Sequence, residues 1–142
     1  MKAIALAHLL VAFAASPIQA ADQCPIFAKG AELTYQQTHG PDFAVCYAVD
    51  KGKNQLVGLY TGHAASYERR GRIKAERSSV AGIPAQWVLG KASDRPALYR
   101  ETLINVRAMH GPDYEAHIWI NAKDKEHLSL ALAALSSMTF RY

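Results

Sequence analysis

Most of the residue patterns that announce a catalytic or metal centre are missing from this chain. It has two cysteines in 142 residues, not in CxxC spacing and without the density of Cys and His that a zinc site takes, which excludes a dithiol redox centre and a structural zinc. Neither His-x-His nor HExxH occurs, so no spacing supports a metal ligand set. There is no G-x-S-x-G elbow, and Ser66 near His63 has no identifiable acid to orient the histidine. No Gly-rich phosphate loop is present, and the carboxylates are scattered rather than paired as glycoside hydrolysis requires. The sequence therefore points to no catalytic residue, no metal and no cofactor. It also lacks a strong charge of either sign. The formal net charge is +4. It falls to +3 without Lys2, because 15 basic residues then face the 12 acidic ones, all of which lie beyond residue 20. A charge that small speaks for solubility and gives no case for nucleic acid.

Long apolar runs are scarce as well. The one at the start, Ala3 to Ala15, follows the single positive charge of Lys2 and is too short for the ~20 residues of a membrane-spanning helix. Ser16-Pro17-Ile18-Gln19-Ala20 then breaks the helix and ends in a small residue. This is the three-part pattern of a secretory signal, with cleavage expected after Ala20. Cys24, preceded by Ala21-Asp22-Gln23, does not sit in a lipoprotein box. The expected product is a periplasmic or secreted protein with no transmembrane segment. Its residues 21–142 form a single domain. In such a compartment an even cysteine count reads as a disulfide, Cys24 to Cys46. It would close a loop of about 20 residues and contribute about 3 kcal/mol in the chain-entropy model. Two buried thiols are the alternative.

Along the rest of the chain the pattern is mostly that of strands. Glu32 to Thr38 is weakly β-forming, with Leu33 and Tyr35 on one face. Phe43 to Val49 is apolar on both faces, which predicts a central strand covered on both sides. A turn at Asp50 to Asn54 leads to a partner strand at Gln55 to Thr61. Gly62 to Ser79 lacks apolar periodicity and is predicted as a long loop. Val80 to Leu89 reads as one strand with Ile83, Ala85, Trp87 and Leu89 on one side, and Pro84 places its start at an edge or a bulge. Two more strands are predicted at Leu98 to Arg107 and Tyr114 to Ala122. The second alternates Tyr114, Ala116, Ile118 and Ile120 against Glu115, His117, Trp119 and Asn121. A C-terminal helix follows, capped by Asp124 with Glu126 in its first turn, carrying the stripe Leu128, Ala131, Leu132 and Leu135. It ends at Ser136-Ser137, with a last short strand from Met138 to Tyr142. The fold class is α+β, an antiparallel β-sheet packed by an amphipathic C-terminal helix.

Val80-Ala81-Gly82-Ile83-Pro84-Ala85 opening a strand, two further strands, and a helix closing on Ser137-Met138-Thr139-Phe140 together resemble the C-terminal half of PsbP-like proteins. That family includes the extrinsic photosystem II subunit and bacterial envelope proteins of the DcrB type. The resemblance implies an α/β/α sandwich and mostly non-catalytic binding roles. This chain departs from the family in its N-terminal disulfide and in showing little sign of a long N-terminal helix.

Two features remain as candidate sites. His39-Gly40-Pro41-Asp42 recurs as His110-Gly111-Pro112-Asp113. Gly-Pro-Asp is good turn chemistry by itself, and convergence of the two turns on a metal is the sharper alternative. The stretch with His63, Tyr67, Arg69, Arg70, Arg72, Lys74 and Arg77 is a candidate partner surface, since guanidinium groups suit phosphate- or carboxylate-rich partners. Its plain alternative is a solvated loop, because Glu68 and Glu76 interleave. Trp87 and Trp119 are read as packing rather than as a sugar platform. The function these features suggest is a non-catalytic periplasmic binding protein acting on another protein or an envelope component, in the manner of an inhibitor or immunity protein. The alternative is a small-molecule or lipid carrier with a pocket between sheet and helix.

Overall fold

The computed structural model describes residues 24–39, 43–63, 65, 72–90, 98–106, 111 and 114–141. The signal-sequence reading of residues 1–20 lies outside them. So do Asp42, His110 and Asp113 of the two repeated turns.

Seven strands and a helix make up the described chain: β1 (Thr34–His39), β2 (Ala44–Val49), β3 (Gln55–Gly62), β4 (Lys74–Val80), β5 (Ile83–Leu89), β6 (Leu98–Asn105), β7 (Glu115–Ala122) and α1 (Lys125–Ser137). The strands form one antiparallel sheet in the order β1-β2-β3-β7-β6-β5-β4. Two meanders, β1-β2-β3 and β4-β5-β6-β7, are thus joined where β3 meets β7. This is the α+β class expected, and α1 packs on one face of the sheet.

The helix forms as its sequence dictates. Asp124 holds extended dihedrals and accepts a 2.8 Å hydrogen bond from the His127 amide, satisfying one of the amides a helix start leaves unpaired. Ala131, Ala134 and Leu135 are its buried residues. They meet the inward side of the central strands, where Cys46, Leu59, Ile118 and Ile120 are all almost fully buried. Cys24 is bonded to Cys46 of β2. That ties the segment before β1 to the core, and Ile26 and Thr139 exchange backbone hydrogen bonds beside it. Thr139 makes only this isolated bridge, so the last strand expected after α1 is reduced to one residue pair.

Two expectations are corrected here. Lys74 to Val80, expected as the end of a loop, is the edge strand β4. Its Lys-Ala-Glu-Arg-Ser-Ser run lacks apolar alternation because an edge strand with few fully buried positions does not need it. Moreover, Val80 to Leu89 is not one strand. Ala81 and Gly82 both take positive φ, 51° and 77°, and fold the chain into a two-residue hairpin. Ala81-Gly82 lacks the Asn-Gly signature, so the sequence pattern gives no sign of this turn.

Pro84 consequently lies in an interior strand rather than at an edge, and the bulge sits in β4, between Lys74 and Arg77. Val80 and Ile83 flank the turn as its hydrogen-bonded pair, so the missing N–H of Pro84 faces β6. The β5–β6 ladder is registered only at Val88–Glu101 and Leu89–Arg100, short of Pro84.

Candidate functional site

The two faces of the sheet have different chemistry. On β7, Ala116, Ile118, Ile120 and Ala122 are buried on the helix side, and the residues between them, Glu115, His117, Trp119 and Asn121, are half-buried on the other. Register carries that second face across the neighbours. His117 lies opposite Tyr60, Trp119 lies between Gly58 and Glu101, and Asn121 lies opposite Tyr99. Val45 and Tyr47 extend the face onto β2. Strand β2 was expected to be covered on both sides. Instead its outward residues are half-buried and line a cleft.

The cleft has a volume of about 700 Å³. Among the described residues its lining is aromatic and polar, with Tyr47, Tyr60, Trp119 and His117 on the floor, Gln55, Glu101 and Asn121 among them, and Val45 and Ala65 as the aliphatic members. The rings are bedded on glycines. A Cβ at Gly58 would fall inside the Trp119 indole, and one at Gly90 would fall against the Tyr99 ring. At Gly62 it would lie 2.9 Å from the Tyr60 hydroxyl oxygen. Tyr47 meets Trp119 edge-on at 6.1 Å, and His117 is tilted against it at 5.3 Å.

Charge enters the cleft as a neutralised pair. Arg72 Nη2 lies 3.0 Å from Glu101 Oε2, and each side chain is only 10 % exposed. Tyr99 donates to Glu101 Oε1 at 2.6 Å, and Arg72 Nη1 donates to the Leu89 carbonyl at 3.2 Å. The Oε2 contact with Arg72 does not align as a hydrogen bond, so this buried oxygen keeps accepting capacity.

Burial holds the His117 imidazole below its ordinary pKa near 6.5; Glu101 opposes that shift and Arg72 adds to it. A histidine with a depressed folded pKa is protonated first in the unfolded chain. Its contribution to stability is therefore present above pH ~6.5 and lost as the pH falls toward the folded value. Melting temperature should decline between pH 7 and 5.5, and His117→Gln should flatten that decline. An equal slope in the variant would show that other groups cause it. Asp50 and Asp124 titrate in a separate window. Hydrogen bonds from Asn54 and His127 respectively hold their carboxyls below the ordinary 3.8, so their contribution is lost only in stronger acid.

Of the residues of the expected basic surface, His63, Arg72, Lys74 and Arg77 are described. Arg72 is held beside the cleft against Glu101, Lys74 and Arg77 are exposed on β4, and Arg77 donates to Gln86 at 3.0 Å. His63 is exposed and meets Tyr114 edge-on at 5.2 Å. Tyr67, Arg69 and Arg70 lie outside the described residues. No group of three or more His, Cys, Asp or Glu that could hold a metal occurs among the described residues.

A carrier pocket between sheet and helix is the alternative expectation; among the described residues Ala131, Ala134 and Leu135 of α1 pack on the core there, and the cleft lies on the opposite face. Sequence reasoning missed Tyr47, Tyr60, Tyr99 and Glu101. The available signal was the alternation on β7, which set His117, Trp119 and Asn121 together against aliphatic neighbours. No protein-family model, curated protein or solved structure matches this chain.

Proposed function

We propose that this protein is a non-catalytic binding protein that holds a small ligand in the aromatic cleft on the sheet face turned away from α1. One observation carries the reading: the half-buried rings of Trp119 and Tyr60 lie against Gly58 and Gly62, so β3 gives up side-chain packing to set two rings along a cleft. Strand glycines weaken a sheet and mark places where something approaches the backbone closely. Volume supports it too, since small-ligand sites run from about 300 to 1,000 Å³. The Cys24–Cys46 bridge fits an oxidising compartment outside the cytoplasm. A binding role is also what the PsbP-like resemblance implies.

The second reading is a blocker of an envelope enzyme, which small size, export and a disulfide suggest; of its candidate partner surface, Arg72 is paired with Glu101. Native mass spectrometry of protein isolated from its own cells separates the two. A co-purifying small mass that is lost in Trp119→Ala is expected. Ligand-free protein that instead carries a stoichiometric protein partner would overturn the cleft reading.

A further inference from the structure

On the basis of the binding reading above, we infer that the cleft takes a saccharide, with a pyranose ring seated flat on Trp119. A sugar ring offers an apolar C–H face and a rim of hydroxyls, so its site needs an exposed aromatic plane edged by groups that both accept and donate. Trp119 supplies the plane. Glu101 is its direct neighbour on β6, and Asn121 follows two residues along β7 on the same face. Gln55 completes the polar edge. Carboxylates and side-chain amides are suited to hydroxyls, because the first accepts twice and the second both donates and accepts. The Oε2 atom of Glu101, buried and without an aligned hydrogen bond, is the acceptor best placed for one.

Other ligand classes fit less well. A lipid tail wants an aliphatic lining, yet Leu59, Ile118 and Ile120 of these same strands face the helix, and among the described residues Val45 and Ala65 alone are aliphatic in the cleft. An anionic group wants a cation, and among the described residues Arg72, beside the cleft, is paired with Glu101. Among the described residues Glu101 is the one carboxylate lining the cleft, and glycoside hydrolysis takes two.

Fluorescence titration tests this, since Trp119 borders the cleft and Trp87 is fully buried. The probes are soluble β-1,4-linked glucose and N-acetylglucosamine oligosaccharides, with a fatty acid and a neutral naphthalene dye in parallel. Saturable emission change with an oligosaccharide is expected. Trp119→Ala should weaken it by about tenfold or more, as loss of a central aromatic anchor does. Asn121→Ala, which leaves the indole in place, should weaken it by a smaller factor, and both variants should keep the wild-type melting curve to within a few degrees. Response to the fatty acid or dye alone would overturn the saccharide inference and leave the ligand-binding reading standing. Silence toward every probe would overturn both. Pelleting with the insoluble polymers of the same sugars tells a cell-wall-type source from a free oligosaccharide; binding in either form supports the inference.

Discussion

Arg72→Met is expected to destabilise the fold by about 3–5 kcal/mol, far more than loss of a surface arginine. The reason is what it leaves behind. Glu101 is 7 % exposed, and its carboxylate is held by Tyr99 at Oε1 and by the guanidinium at Oε2. Without Arg72 the charge stays buried with one hydrogen bond, and desolvation is no longer offset. Glu101→Met should cost less, because the guanidinium keeps its hydrogen bond to the Leu89 carbonyl. Removing both, as Arg72→Met with Glu101→Met, should restore most of the loss, since replacing a buried pair by apolar groups of similar volume is often neutral or stabilising. Urea unfolding of the four proteins gives the cycle. A cost below about 1 kcal/mol for Arg72→Met would place that side chain in solvent and return it to the candidate partner surface. The same cycle bears on the cleft. If Glu101 contributes its Oε2 to a ligand, Arg72→Met should also alter ligand affinity at fixed occupancy of the fold.

How much of this was legible in the sequence follows from which constraints are local. Helix α1 is fully readable, because its cap at Asp124 and its stripe through Leu128, Ala131, Leu132 and Leu135 are local and mutually consistent. The β7 alternation is readable for the same reason. Cys24 and Cys46 are readable from count and compartment alone. What was lost depends on pairing. Lys74 to Val80 carries no pattern of its own and becomes a strand because Ile83 to Leu89 folds back on it. Pro84 argues for an edge locally, and only the truncated β5–β6 ladder explains its interior place. The cleft is the extreme case. Val45, Tyr60, Glu101 and Trp119 come from four strands, and no window of sequence places Gly58 beneath an indole. Within the Arg-rich stretch, sequence gives no sign that Arg72 pairs with Glu101 while Lys74 and Arg77 stay exposed on β4.

The two tryptophans turn this difference between faces into a matched comparison. Trp87→Ala is expected to cost about 3–5 kcal/mol, the range for deleting a buried indole, since a cavity is left that its neighbours close only in part. Trp87 is fully buried, and its indole nitrogen donates to Ser78 Oγ at 2.8 Å, which ties β5 to the edge strand. Truncation therefore removes the packing and also orphans a half-buried hydroxyl on β4. Trp87→Phe keeps most of the volume and should cost less than the alanine variant, with Ser78→Ala recovering little of it. Trp119→Ala removes the same atoms from the opposite face of the same sheet. Its ring is half-buried and bounds a cleft, so the expected cost is about 1 kcal/mol and the loss should appear in ligand affinity instead. Melting curves with denaturant midpoints check both. If Trp119→Ala proved as destabilising as Trp87→Ala, the ring would be a core residue and the glycines beneath it would serve packing alone. If Trp87→Ala were tolerated and Trp119→Ala were not, the assignment of the two faces would be inverted, and the core would lie where the cleft is now placed.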